Sequence, residues 1–350
     1  MTTEVSIPSI AQSAPAHAGA AAQASSLTLT SSPPSGRFPA EVDPGPDLAS
    51  QTTALKTSWF DSIFIVGQLH AAGHDFGYEV HVLQQPDDDL RHQVIAVTDS
   101  TSGWFKSDGA NLAADELQWD DQSLQLYTPQ VSWTGDLEHQ KITATTPWGA
   151  LDLDLEPQGP VLYYAGTGSF ALLGARQFQY ALPRMRTTGT LTADGRAWEV
   201  TGDSWLDRQW GAMPGLRTNR WTWMNMTLSN GDAIALWDAG SVDGTTARES
   251  WATVLHPDGT HELVPVTPLA EGASRHWHSL RGSYVFPTQW TVAIPSRQAT
   301  LTVTATVLEQ EVPGLGPTSA YEGAATVSGT YQGEQVDGRT YIEQVGNWSA

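Results

Sequence analysis

Cysteine is absent from this 350-residue chain, which excludes disulfides, thiolate metal sites and a cysteine nucleophile. Bases are scarce too: 17 Lys and Arg stand against 38 Asp and Glu, a formal net charge of −21. Binding nucleic acid through counterion release needs clustered Lys and Arg, so that function class is set aside. The same imbalance repels anionic lipid surfaces. No run of eighteen apolar residues occurs, so no membrane insertion by a spanning helix is expected. Helical periodicity is also missing almost everywhere. The stretch 109–118 is the best helix candidate, and it is short.

What is abundant is tryptophan. The chain holds 15, from Trp59 to Trp348. That much indole suits a heavy β-core or a large pocket for an apolar, unsaturated ligand. Residues 1–50 are a different region, rich in Ala, Ser, Thr and Pro, with five charges and Phe38 as the one aromatic. Such a segment buries too little apolar surface to offset its ordering entropy, so a disordered tail is expected. It lacks the basic start and apolar run of a secretory signal, which points to a cytoplasmic protein.

From Leu55 onward the pattern is short strands of period two. Leu151, Leu153 and Leu155 alternate with Asp152 and Asp154; Leu301, Val303, Ala305 and Val307 alternate with threonines. Turn signals recur at Ala193-Asp-Gly-Arg196, Ser229-Asn-Gly-Asp232, Pro257-Asp-Gly-Thr260 and Val336-Asp-Gly-Arg339. The fold class is therefore all-β, sandwich or barrel. About 300 residues is long for one such unit. Two consecutive domains are expected, 51–212 and 213–350, with a seam near Gly211–Gly215.

Six tryptophans fall between 198 and 237, around Asp203-Ser-Trp-Leu-Asp-Arg-Gln-Trp-Gly211 and Trp221-Thr-Trp-Met-Asn-Met226. In strands, Trp205, Asp207 and Gln209 share one face, as do Trp221, Trp223 and Asn225. A carboxyl among indoles is desolvated, which raises its pKa. Asp207 then either donates a proton or hydrogen bond into an apolar pocket, or it ties down a turn or pairs with Arg208 or another base, with the tryptophans simply as core. Asp87-Asp-Asp89 reads as an exposed acidic loop, and His276-Trp-His278 as a surface pair lacking a third ligand, so no metal site is assigned. No Gly-x-Ser-x-Gly elbow, His-Glu-x-x-His or dinucleotide loop is present, and no cofactor is implied.

These residues resemble the lipocalin-like carotenoid 1,2-hydratase (hydroxyneurosporene synthase) superfamily. That group also holds bacterial proteins labelled predicted secreted hydrolases, and it is distantly similar to fungal decalin-forming Diels–Alderases. The likeness is carried by four blocks. They are Phe38-Pro39 with Trp59-Phe-Asp-Ser-Ile-Phe64, then Tyr180-Ala-Leu-Pro-Arg184, then Trp205-Leu-Asp-Arg-Gln-Trp-Gly211, then Trp290 to Pro295 with Tyr321-Glu-Gly-Ala324 and Tyr341-Ile-Glu343. The resemblance implies two lipocalin-like β domains with a pocket in or between them. It also implies Asp207 as the reacting acid, with Tyr180 as its aromatic partner; Tyr180 and Asn225 are further candidate hydrogen-bond donors to a substrate carbonyl. Trp205, Trp210, Trp221, Trp223, Asp61, Phe64, Tyr164, Trp237 and Glu322 are the candidate substrate-binding residues.

Two departures shape the expected activity. Where the family carries Glu-Trp-Trp-Tyr, this chain has Asp61-Ser-Ile-Phe64, so a wider or differently shaped pocket is expected. Where the hydrolase branch reads Asp-His-Glu-Trp, it has Asp207-Arg-Gln-Trp210, nearer the fungal cyclases. The leading expectation is a cofactor-independent cyclase for a hydrophobic polyene or polyketide intermediate of secondary metabolism. The alternatives are a hydratase or dehydratase that protonates an alkene through Asp207, and a non-catalytic carrier of a hydrophobic ligand. The acidic surface favours solubility over assembly, and the oligomeric state is left open.

Overall fold

The computed structural model describes residues 36–38, 53–54, 60–85, 89–213, 218–242, 244–279, 281, 284–314 and 319–346. Outside the described residues lie Trp59, Asp87, Asp88, Pro214, Gly215, Trp348 and all of 1–50 except 36–38. Thirteen strands between Phe60 and Gly211 form one antiparallel sheet. Its first strand, Phe60–Ala71, pairs with its last, Arg196–Gly211, so the sheet curls back on itself. Its two edges, Trp104–Asn111 and Gln118–Trp119, are joined by only six residues, 112–117. A second, eleven-stranded sheet repeats the plan: Asn219–Leu228 pairs with Glu334–Val345. The chain passes between the sheets after Gly211.

The alternating segments form the strands they predict. Gly149–Pro157 buries Leu151, Leu153 and Leu155, and Ala299–Ala305 buries Leu301 and Val303. Asp194 (φ +49°) and Gly195 (φ +76°) make the hairpin between Ala175–Ala193 and Arg196–Gly211. Both residues are left-handed, as a turn matched to strand twist requires.

Three expectations are corrected. The stretch 109–118 is not a helix: it ends one edge strand, turns, and begins the other. Glu116 accepts the Ala113 N–H at 2.8 Å, which closes that turn without a helical nucleus. Asp337-Gly338 is not a turn but lies inside Glu334–Val345. Gly338 is there because a Cβ would sit 2.3 Å from the Thr227 carbonyl of the neighbouring strand; the hairpin turns instead at Gln332 (φ +53°) and Gly333 (φ +86°). Third, the tail is interrupted by a strand, Gly36–Phe38, paired with His261–Pro265. An open sheet edge offers backbone partners, and that pairing needs no apolar burial.

Each sheet wraps its own core, Ile65, Tyr78, Leu153 and Leu206 in the first, Leu236, Trp290, Leu301 and Ile342 in the second. A third apolar cluster joins the two sheets and includes Phe64, Val66, Trp205, Trp223, Trp237 and Tyr341. Strand Phe60–Ala71 is buried on both faces. Ile63 and Ile65 serve the first core, while Phe64 and Val66 serve the seam. That explains its continuous apolar run. The sheets approach closely at Gly77, whose missing Cβ would lie 2.4 Å from Ala324 Cβ. Gly77→Ala is expected to cost ~1–3 kcal/mol in a thermal melt by overpacking the seam. An unchanged melting temperature would contradict that contact. Among the described residues no helix is long and apolar enough to cross a membrane.

Candidate active site between the sheets

Strand Arg196–Gly211 turns Trp205, Asp207 and Gln209 toward the seam. Directly across from Asp207 stand Ala181 on one neighbour and Phe64 on the other. Asp207 is 3% exposed. Its Oδ1 accepts the Trp205 indole N–H at 3.1 Å. Its Oδ2 accepts the Tyr164 phenol at 2.8 Å and the Gln179 amide at 3.2 Å. The indoles of the second sheet hold those partners in turn: Trp223 donates to the Tyr164 oxygen at 2.9 Å, and Trp237 to Gln179 Oε1 at 3.3 Å. Burial pushes the Asp207 carboxyl up to about 8, and the Glu343 charge adds to the rise. The three donors oppose it without cancelling it.

The second sheet contributes a row of side chains across its strands: Trp251, Trp237, Trp223, Glu343 and Glu322 stand opposite one another in succession. Directly paired residues share a face, so the row presents one surface to the seam. Trp221 donates its indole N–H to Glu343 Oε1 at 2.8 Å. Glu343 sits deep in the fold yet keeps surface on the cavity, and burial raises its carboxyl to about 7. Glu322 is more enclosed, with Oε2 unpartnered; burial, then Glu79 and Glu343, raise it well above the carboxylate range. Glu79, on the first-sheet strand His74–Gln85, is buried and accepts the Tyr341 phenol at 3.3 Å. Opposite, His81 meets Ser62 Oγ at 2.8 Å, and burial lowers it to about 3, so the ring is neutral.

Of these groups Asp207, Gln179, Trp221, Trp223, Trp237, Glu343, Glu322, His81, Ser62 and Phe64 line a cavity of about 620 Å³ between the sheets, within the range of small-molecule sites. Among the described residues no three His, Asp or Glu are grouped to hold a metal ion.

The structure brings together Asp207, Tyr164, Trp205, Trp221, Trp223, Trp237, Phe64 and Glu322. Four expected residues lie elsewhere. Tyr180 pairs across with Arg208, not Asp207, and so points into the first core, where it meets Trp210 edge-on at 6.4 Å. Trp210 shares that face and stacks on Phe178. Asp61 joins them and forms a 2.5 Å ion pair with Arg208. Arg208 is therefore not the partner of Asp207. Asn225 accepts the Tyr341 N–H at 2.6 Å and lines a second cavity, about 790 Å³, whose lining includes Trp205 but not Asp207. Of the two rings lost from the first block, only the one replaced by Ser62 bears on the cavity, because Ile63 faces the core. Gln179, Glu343 and His81 were not expected. Tyr341-Ile-Glu343 carried a signal, since alternation puts Glu343 on the Tyr341 face; His81 carried none.

The sequence profile of the AttH-like family matches residues 51–347. Kievitone hydratase of Fusarium solani subsp. phaseoli is 24% identical over 315 residues, 86% of this chain and 86% of that protein. Dehydratase asqC of Emericella nidulans is 28% identical over 216 residues, 59% of this chain and 60% of that protein. The crystal structure of kievitone hydratase from Nectria haematococca has the same fold, with a TM-score of 0.76 at 18% identity, covering 89% of this chain and 97% of that one.

Proposed function

Because the chain belongs to the AttH-like family, we propose that it is a secondary-metabolism enzyme of the hydro-lyase type, adding water to, or removing it from, a carbon–carbon double bond of a hydrophobic small molecule. The observation that carries this reading is Asp207: a buried carboxyl with three neutral hydrogen-bond donors that holds its proton at neutral pH and borders a cavity. The names of two relatives, a hydratase and a dehydratase, support it.

In the hydration direction Asp207 gives its proton to one alkene carbon, whose π electrons form the new C–H bond. The cation left on the other carbon is stabilised by the indole faces of Trp223 and Trp237. Water adds to that carbon, and Glu343, as carboxylate, takes the proton the water loses. Dehydration runs the same steps backward. Each acid is held by an indole N–H, Trp205 on Asp207 and Trp221 on Glu343, which fixes its oxygens without neutralising it.

This mechanism needs Asp207 protonated and Glu343 ionised. Activity therefore rises as pH passes about 7 and falls as it passes about 8, a narrow bell whose limbs belong to the interacting pair. Glu343→Gln is expected to lower kcat by about 100-fold and to remove the acidic limb. It also moves the alkaline limb to lower pH, because the charge that raises Asp207 is gone. The pH–rate profile of both proteins checks this.

A second reading, cyclisation, is favoured by the same neutral Asp207, which can polarise a substrate carbonyl by a hydrogen bond. One experiment separates the readings. The compound that accumulates in a deletion strain is incubated with pure protein and followed by mass spectrometry. A change of one water supports hydro-lyase chemistry. An isomer of unchanged mass supports cyclisation, and unaltered compound supports a carrier.

A further inference from the structure

One segment of the first sheet leaves its main path. The short strands Leu162–Tyr163 and Ser169–Leu172 pair in the sheet only with Ala175–Ala193, and with the turn Tyr164–Gly166 between them they reach across to the second sheet. There three backbone N–H groups meet side chains of two neighbouring second-sheet strands. Tyr163 donates to His261 Nε2 at 3.0 Å, Ala165 to Thr253 Oγ1 at 2.9 Å, and Leu173 to Glu249 Oε1 at 3.0 Å. His261 Nε2 accepts, so that ring is neutral with its proton on Nδ1. Ala165 (φ +54°) and Leu173 (φ +52°) are left-handed although neither is glycine. A residue with a side chain holds that conformation only where its surroundings impose it, and two of the three bonds fall on these two residues. Phe170 packs edge-on against Trp251 at 5.2 Å and beneath Tyr164 at 6.0 Å.

Between the held residues lies Tyr164, whose phenol reaches Asp207. We infer that His261, Thr253 and Glu249 are positioning residues: the second sheet clamps this segment so that Tyr164 stays on the Asp207 carboxyl. The role rests on Asp207 being the acid of the reaction. None of the three side chains borders the cavity, so none touches substrate there. Thr253 is the central hold, fully buried and bonded next to Tyr164 itself. The site is then assembled across the seam: the first sheet supplies the acid, and the second sets the partner that orients it.

The test is a double-mutant cycle between Thr253→Val and Tyr164→Phe, with Thr253→Ser as the conservative control. Thr253→Val is expected to lower kcat about tenfold with KM changed less than about twofold, as a misplaced catalytic group does. Thr253→Ser restores it. The double variant is no slower than Tyr164→Phe alone, since both remove the same contact. Two readouts need no substrate. Backbone amide exchange over 163–173 speeds up in Thr253→Val and not in Thr253→Ser. The Asp207 titration, followed by carbon NMR of labelled aspartate, moves to higher pH in Thr253→Val as in Tyr164→Phe, because each loses a donor to the carboxylate. Multiplying losses in the cycle, or exchange and titration unmoved in Thr253→Val, would overturn the clamp. Should Thr253→Val not fold, Glu249→Leu against Glu249→Gln repeats the comparison at Leu173. An active Asp207→Asn variant would instead remove the acid reading while leaving the exchange and titration results standing, so the two failures are told apart.

Discussion

Asp207→Asn is expected to lower turnover about a thousandfold, because it removes the transferable proton and keeps the shape. The same change is expected to stabilise the protein. The folded state keeps the Asp207 proton until about pH 8, whereas an unfolded chain releases it near the ordinary carboxyl value. Between those limits the folded state binds more protons, so this residue's contribution falls as pH rises. The stability it withholds is negligible below about pH 4, is bounded by ~4 kcal/mol at pH 7, and is complete above pH 8. Urea denaturation at pH 5, 7 and 9 should therefore show the gain in Asp207→Asn growing with pH. Full turnover in the variant would sink the acid role; a gain shrinking with pH would sink the protonation argument.

Asp61→Ala is expected to have the opposite profile, a stability loss of about 3–5 kcal/mol with the chemistry intact in what remains folded. The pair it breaks is closed off from water: Asp61 is 1% and Arg208 0% exposed. The guanidinium also donates to the carbonyls of Ser62 and Thr53 and lies over Trp119 at 4.6 Å. Removing the carboxylate leaves that charge buried and unpaired. Asp61→Val combined with Arg208→Met should recover much of the loss, since an apolar pair of similar volume costs no ionic desolvation. Urea denaturation of the single and double variants decides it. A substrate-binding Asp61 would instead raise KM at unchanged stability.

Asp61 also marks where reading the sequence fell short. The strands were legible because Leu151 to Leu155 bury every second residue, and the hairpin at Asp194-Gly195 because two left-handed residues are costly anywhere else. Asp337-Gly338 misled because glycine serves two purposes, and here the purpose is close approach to Thr227. In the site, parity decided everything. Asp207 and its neighbouring indoles were found because Trp205 and Asp207 sit two apart on one strand. Tyr180 was misplaced because its facing side depends on the register between two strands, and Ala181, not Tyr180, stands opposite Asp207. One residue of slip exchanges the two sides of a sheet. Gln179 reaches Asp207 through the register of that same hairpin, and Glu343 through the pairing of Asn219–Leu228 with Glu334–Val345, strands far apart in sequence. A linear pattern carries no record of those.

Both sheets fill their interiors with their own side chains, and the cavity is built from the outward residues of each. Lineages that diverge in ligand can thus revise Ser62, His81, Trp237 or Glu322 without repacking either interior, and can re-aim one sheet against the other as a rigid half-shell. The architecture separates evolvability from foldability, so mutational libraries confined to these four positions should return mostly folded protein with altered ligand preference.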